Sequence, residues 1–299
     1  MDKETAVQSL TDTMAKFTSY IGKRLPKDVK AKLADLRTME TNPLAKSIYD
    51  SMAGNQEAAD KLDRPSCQDT GVIQYFISAG SNFPLIGELE EVLRNATLGA
   101  TKMGPLRHNA VETFDEKNTG TNTGTQIPWL DWRIVPGEDT CTIDVYMAGG
   151  GCTLPGAAKV LMPGQGYEGV AEFVMDVITQ RGVNACPPLL VGVGVSTSVE
   201  TAARLSKLAI LRPVDSKSSN ANAALMEELL EQGLNEIGIG PQGLTGNSSV
   251  MGVNIESSAR HPSTIGVAVN TGCWAHRRGK IRINPDMSYE IISHEGVVL

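Results

Sequence analysis

Residues 67–77, Cys67-Gln68-Asp69-Thr70-Gly71-Val72-Ile73-Gln74-Tyr75-Phe76-Ile77, mark the point where a helical region hands over to sheet. The β-branched and aromatic run from Val72 to Ile77 reads as a strand, with Thr70-Gly71 as the turn before it. Helical sequence on one side and strand on the other set the fold class as α+β. The same stretch gathers a thiol, an amide, a carboxylate and a hydroxyl at one junction. A thiolate can bind metal, and a carboxylate two residues on can move a proton beside it. Taken alone, however, the stretch is better read as a buried cysteine and an Asp that caps a turn.

Toward the N-terminus the periodicity is helical. Ala6, Val7, Leu10, Met14 and Phe17 recur at helix spacing, and after Pro26 so do Val29, Leu33 and Leu36. Asn42-Pro43 starts a third helix, since proline is tolerated in a first turn. Ile48 and Met52 continue it, and Gly54-Asn55-Gln56 is expected to interrupt it. Pro65 closes the region just ahead of Cys67.

Toward the C-terminus, Leu85 to Ala100 is amphipathic through Leu89, Val92 and Leu93. The segment from Gly104 to Trp129, rich in Gly, Thr and Asn, is expected to be an active-site loop. Strands are predicted at 128–135 and 141–147, the second running into Gly149-Gly150-Gly151. A helix over 166–182 precedes Cys186-Pro187-Pro188 and the apolar run Leu189 to Val195, the pattern of a doubly buried strand. Ser196-Thr197-Ser198 with Glu200 starts the next helix, and 220–234 forms another. Strands follow at 250–255, 265–269, 280–283 and 289–292. With no repeat, heptad pattern or linker, the expectation is a single mixed domain, 1–299, with a helical N-terminal part followed by a sheet-containing core.

Composition narrows the function classes. The chain is 41% hydrophobic and 20% charged, which is globular, and its net charge of −7 disfavours general affinity for nucleic acid or anionic membrane. No apolar run approaches the ~20 residues that span a bilayer. Met1-Asp2-Lys3-Glu4-Thr5 has no leader character. Five scattered cysteines, an odd number, argue against a disulfide framework, so a cytoplasmic setting is expected.

Three of those cysteines share a setting: Cys67 and Cys186 lie just before strands and Cys273 just after one. None belongs to a Cys-x-x-Cys pair, so spacing alone specifies neither a zinc nor a ferredoxin site. Gly149-Gly150-Gly151 is not a phosphate loop, because no Gly-Lys-Ser/Thr follows, and Gly192-Val193-Gly194 is read as close packing. His261, His276, Lys102, Arg107, Arg277 and Arg278 each admit a structural or solvated reading beside a functional one.

Together, Cys67-Gln68-Asp69-Thr70-Gly71, Ala185-Cys186-Pro187-Pro188 and Gly272-Cys273-Trp274-Ala275-His276-Arg277-Arg278 resemble the iron–sulfur hydro-lyases of the class I fumarase and L-tartrate dehydratase family. The resemblance covers nearly the whole chain and implies a [4Fe–4S] cluster on Cys67, Cys186 and Cys273, with Cys141 and Cys152 as non-ligands. It implies Asp69 as acid/base residue and His261 as a histidine near substrate. Gln68, Asp69, Arg107, Gly149, Gly150 and Gly151 are the implied substrate-binding positions, for a small dicarboxylic hydroxy acid. It further implies a separate β subunit that completes the site, in an α2β2 assembly. Family fumarases carry Lys before the triple glycine, where this chain has Ala148. That difference, with Trp274-Ala275-His276-Arg277-Arg278, favours the tartrate dehydratase branch. Fumarate hydration is the alternative activity, and a non-catalytic scaffold subunit the alternative class.

Overall fold

The N-terminal periodicity becomes three helices, α1 (Lys3–Lys23), α2 (Lys27–Met39) and α3 (Pro43–Leu62), in the computed structural model, which describes residues 1–299. Strand β1 (Val72–Gly80) follows, then α4 (Leu89–Met103), the two-residue strands β2 (Val111–Glu112) and β3 (Lys117–Asn118), β4 (Trp129–Val135) and β5 (Cys141–Ala148). Next come the one-turn helix α5 (Gly150–Thr153), β6 (Ala157–Leu161), α6 (Gly166–Arg181), β7 (Leu189–Ser196), α7 (Val199–Ala209) and α8 (Ala221–Glu236). β8 (Val250–Ser257), β9 (Ile265–Gly272), β10 (Arg278–Ile283) and β11 (Tyr289–Ile291) complete the chain. The α+β class stands. α5 and β6 were not foreseen from sequence.

Two compact units share this chain: residues 1–27, 56–149 and 277–299 in the first, and 28–55 with 150–276 in the second. The N-terminal helices are therefore not a layer of their own. α1 belongs to the first unit, and α2 beyond Lys27 with the front of α3 belongs to the second. The expected break at Gly54 does not occur, because one glycine costs a helix only about 1 kcal/mol and Met52, Ala53, Ala58 and Ala59 around it favour helix.

In the first unit, a sheet of order β11-β10-β5-β1-β4 is antiparallel except for the β1–β4 pair. Alternation along β1 places Ile73, Tyr75 and Ile77 in one core with Leu10, Met14 and Phe17 of α1 and Leu89, Leu93 and Ala96 of α4. Each large side chain buried there contributes roughly 1.5–3 kcal/mol. The one polar atom that β1 sends into this core, Tyr75 Oη, is satisfied by Thr18 and Thr97 at 3.1 Å each. The register sets the start of β1 beside the end of β5 (Val72 opposite Ala148) and the start of β10 beside that same end (Arg278 opposite Tyr146).

In the second unit the sheet order is β6-β9-β7-β8, with only β7 and β8 parallel. β7 is buried along its whole length, as its continuous apolar run predicted. Val191 and Val193 pack with Val170, Val174 and Ile178 of α6 and Leu230 and Leu234 of α8. The opposite face meets α7 so closely that a Cβ at Gly194 would stand 1.9 Å from the Ala202 carbonyl oxygen. Gly192-Val193-Gly194 is therefore a packing device. Buried Glu227 accepts from Ile255 N, Ser218 N and Arg212 Nη1, tying α8 to β8 and the segment after α7. No helix is long and apolar enough to cross a membrane.

Candidate active site

In the first unit the Cys67-to-Gly71 turn forms because α3 ends at Leu62 and Pro65 prevents its continuation. Asp69 then closes the turn on itself, its Oδ1 accepting from Gly71 N at 3.0 Å. Gly71 has φ +85°, and a Cβ there would lie 2.8 Å from the main chain of Met147 and Ala148, so only glycine fits. Asn109 Nδ2 bridges Asp69 Oδ1 (3.3 Å) and the Gly71 carbonyl (3.2 Å). Arg277 Nη2 donates to the Asp69 carbonyl at 2.6 Å, and Arg277 is itself buried.

The Gly- and Asn-rich segment is ordered onto this turn. Arg107 N donates to Thr70 Oγ1 at 3.0 Å, which fixes its main chain beside the turn while its side chain is exposed. Asn109 N donates to Asn122 Oδ1, and Asn122 Nδ2 reaches Thr101 Oγ1 of α4. Gln68, Asp69 and Arg107 therefore belong to one cluster, at the sheet end where β1 starts and β5 runs into Gly149. Asn109 and the Arg277 contact were not picked out as site features from sequence. The dense Asn and Thr content of residues 104–129 was the only signal for Asn109, and for Arg277 it was its position four residues after Cys273.

In the second unit Cys186 and Cys273 come together. Cys186 precedes β7 and Cys273 follows β9, and the antiparallel register sets Leu190 opposite Gly272. Trp274 N donates to the Cys186 carbonyl at 3.2 Å, locking the two loops to each other. α5 joins them: Thr271 Oγ1 donates to the Cys152 carbonyl at 2.6 Å, and Gly151 lies against the Asn184 carbonyl. Cys186 is exposed and holds φ +55° and ψ +71°, a left-handed conformation that non-glycine residues adopt at a cost of about 1–3 kcal/mol and that concentrates at functional sites. Gly150, Gly151, Cys186 and Cys273 thus share one sheet end.

His261 does not share it. It precedes β9, whereas Cys273 follows β9, so a whole strand intervenes, roughly 20–25 Å at ~3.3 Å per residue. His261 N donates to Thr197 Oγ1 at 3.2 Å and its Nδ1 accepts from Ser263 N at 3.1 Å. Within one chain the extended β9 holds the His261 loop and the Cys273 loop at its opposite ends. His276 is also structural. It is buried against Gly272, and its Nε2 donates to the Ile210 carbonyl at 2.8 Å.

All five thiols are free of disulfides, and they fall into two classes. Cys141 and Cys152 are buried, and burial pushes the Cys141 thiol up to about 12. Cys67, Cys186 and Cys273 are partly or fully exposed. A group bound by thiolates and open to a small substrate needs the second class, so the donor set fits an iron–sulfur cluster with an accessible iron. Burial holds the ammonium of Lys207 on α7 down to about 8.

A family model described as fumarate hydratase (Fumerase) matches residues 11–282. The chain is 60% identical to the protein named L(+)-tartrate dehydratase subunit alpha of Escherichia coli (strain UTI89 / UPEC), over 98% of this chain and 97% of that one. Its identity to the protein of that name in Escherichia coli (strain K12) is 59%, with the same coverage of both chains. A putative L(+)-tartrate dehydratase subunit alpha of Methanocaldococcus jannaschii is 32% identical, over 88% of this chain and 93% of that one.

Proposed function

The chain belongs to the fumarate hydratase (Fumerase) family, and from that membership we propose that it is the α subunit of an iron–sulfur hydro-lyase converting L-tartrate to oxaloacetate and water. Near full-length identity to relatives bearing the L(+)-tartrate dehydratase subunit alpha name is the observation that carries the reading. Ala148 ahead of Gly149, where family fumarases hold lysine, supports tartrate over fumarate.

Cys67, Cys186 and Cys273 are the proposed ligands of a [4Fe–4S] cluster. When bound, its unligated iron supplies Lewis acidity to the substrate's hydroxyl and carboxylate oxygens. The chain's own residues do the rest. Hydroxide leaves one carbon and a proton leaves its neighbour, where an adjacent carboxylate makes the C–H only weakly acidic. Asp69 is the proposed proton-transfer group on this chain. Gly71 N and Asn109 Nδ2 on Oδ1 fix the plane of its carboxylate, and Arg277 fixes the main chain beneath it. Gln68 and Arg107 are the proposed polar and cationic contacts of a substrate carboxylate, and Gly149, Gly150 and Gly151 the loop that lines it.

The remaining carboxylate-binding groups are assigned to a β partner, the counterpart implied by the relatives' designation as alpha subunits. Residues 1–299 act as one functional domain in this proposal. The test is an anaerobic turnover assay of the reconstituted chain with its β partner on L-tartrate, meso-tartrate, malate and fumarate. L-tartrate should be turned over fastest. Faster turnover of malate or fumarate contradicts the substrate, and no turnover of any diacid contradicts the enzyme.

A further inference from the structure

Arg277 is a buried cation that no carboxylate balances. It is 3% exposed. Nη2 donates to the Asp69 carbonyl, while Nε and Nη1 are shut off from solvent and have no hydrogen-bond partner. No carboxylate lies within ion-pair distance of the guanidinium. Arg212, largely buried in the second unit, shows the ordinary arrangement, with its Nη1 3.0 Å from Glu227 Oε1 and 3.3 Å from Glu256 Oε1. Burying a charge without a partner is costly, so the anion that balances Arg277 has to come from beyond the side chains around it.

Position identifies that anion. Met147 N donates to the Arg277 carbonyl at 3.2 Å, which pins the residue at the end of β5. Its side chain then reaches the Asp69 carbonyl, two residues or at most ~7 Å of extended chain from Cys67. Cys273 stands four residues before Arg277 in sequence. The guanidinium is therefore tied to the loop of one proposed thiolate ligand and follows another along the chain. A [4Fe–4S]2+ core held by three thiolates carries net negative charge, and net charge is one of the factors that set the potential of such a core. Because Nε and Nη1 are closed to solvent, a diacid arriving from solution does not reach them. A charge built into the fold acts on them through the low-dielectric interior without contact.

We propose that Arg277 is the counterion of the iron–sulfur cluster. Its charge holds up the cluster's reduction potential and secures its iron, separately from the hydrogen bond by which it positions Asp69. The proposal rests on the assignment of Cys67, Cys186 and Cys273 as ligands.

Charge and hydrogen bond are separable by substitution. Arg277→Gln keeps a donor for the Asp69 carbonyl and removes the charge, whereas Arg277→Lys keeps the charge and loses the planar fork. The full chain with its β partner, reconstituted anaerobically, is titrated with dithionite. One electron converts the 2+ core to the 1+ core, and the electron paramagnetic resonance signal of the reduced core gives the midpoint. The glutamine variant should show a midpoint shifted negative and hold its iron about ten- to a hundredfold less tightly against a chelator. The lysine variant should keep both near wild type although its kcat falls. Arg277→His makes the same comparison within one folded protein, because its imidazole is charged below a pH of about 6.5. Its midpoint at pH 6 should lie above that at pH 8 by more than the wild type's own drift. A glutamine variant with wild-type midpoint and iron retention would overturn the proposal. So would a lysine variant that loses both, which would leave Arg277 a purely structural residue. A raised KM in both variants with an unmoved midpoint would overturn it in favour of a substrate contact. A wild-type chain that takes up no cluster overturns the ligand assignment itself, a result distinct from unchanged variants of a loaded protein.

Discussion

Arg277 reaches across from the start of β10 and donates through Nη2 to the main-chain oxygen of Asp69 at 2.6 Å, inside a buried setting. The arginine follows the Cys273 motif in sequence but serves the Cys67 motif in space. A charge-assisted hydrogen bond of this kind contributes about 1.5–3 kcal/mol, and here it fixes the turn that carries the proposed proton-transfer carboxylate.

Arg277→Lys keeps the charge and loses the planar fork. We expect kcat on L-tartrate to fall about 10- to 100-fold, the kinetic equivalent of that bond, with KM changed much less. Iron content should not change. A variant with wild-type kcat would show that the turn does not depend on the contact.

Asn109 holds two acceptors of the same turn, Asp69 Oδ1 and the Gly71 carbonyl. Asn109→Ala removes both bonds and should lower kcat/KM about tenfold. Asn109→Asp should be worse than alanine at neutral pH, because it sets a second carboxylate against Asp69 and repels it. Steady-state kinetics on the two variants check the order. An aspartate variant more active than the alanine variant would contradict the role.

The cysteine classes predict a pH effect on stability. Cys141 has its thiol pushed up to about 12 from an ordinary 9 by burial. The folded value is the higher one, so the stability this group contributes is complete below pH 9 and is lost as pH rises toward 12. The loss approaches about 1.4 kcal/mol per pH unit in that window. Urea unfolding of the metal-free chain at pH 9 and above should show this slope, and Cys141→Ala should flatten it by that amount. Alkylation at pH 8 should modify Cys186 first and Cys141 last. Early loss of the Cys141 thiol would contradict its burial.

Glu227 is fully buried and serves Ile255 N, Ser218 N and Arg212. Glu227→Ala leaves Arg212 with Glu256 as its carboxylate and two main-chain donors without an acceptor. Unfolding free energy should drop about 2–5 kcal/mol, the cost of two unsatisfied buried donors. A change under about 1 kcal/mol, the usual size for a surface site, would place the residue outside the core network.

The elements were legible wherever apolar period and punctuation agreed. β7 announced itself by an unbroken apolar run and α7 by Ser196-Thr197-Ser198 with Glu200, and the helix read over 220–234 is α8. α5 and β6 were hidden because one turn and five half-exposed residues carry no periodicity. Of the site, the motifs at Cys67, Cys186 and Cys273 stood out only as a set. Cys186 and Cys273 meet through the register of β7 and β9, which is a long-range pairing that local sequence does not encode. The same register moves His261 away, because two residues twelve apart around an extended strand must lie at its opposite ends. Asn109 was hidden for a different reason: an asparagine in a polar loop looks the same whether it bonds water or a catalytic carboxylate.

Iron and acid-labile sulfide analysis of the anaerobically reconstituted chain, wild type beside Cys186→Ser, tests the central claim most directly. The account predicts about four irons and four sulfides per wild-type chain and a substoichiometric, labile content in the variant. A wild-type chain that holds no iron after reconstitution, or a Cys186→Ser chain that holds the full complement, would contradict it.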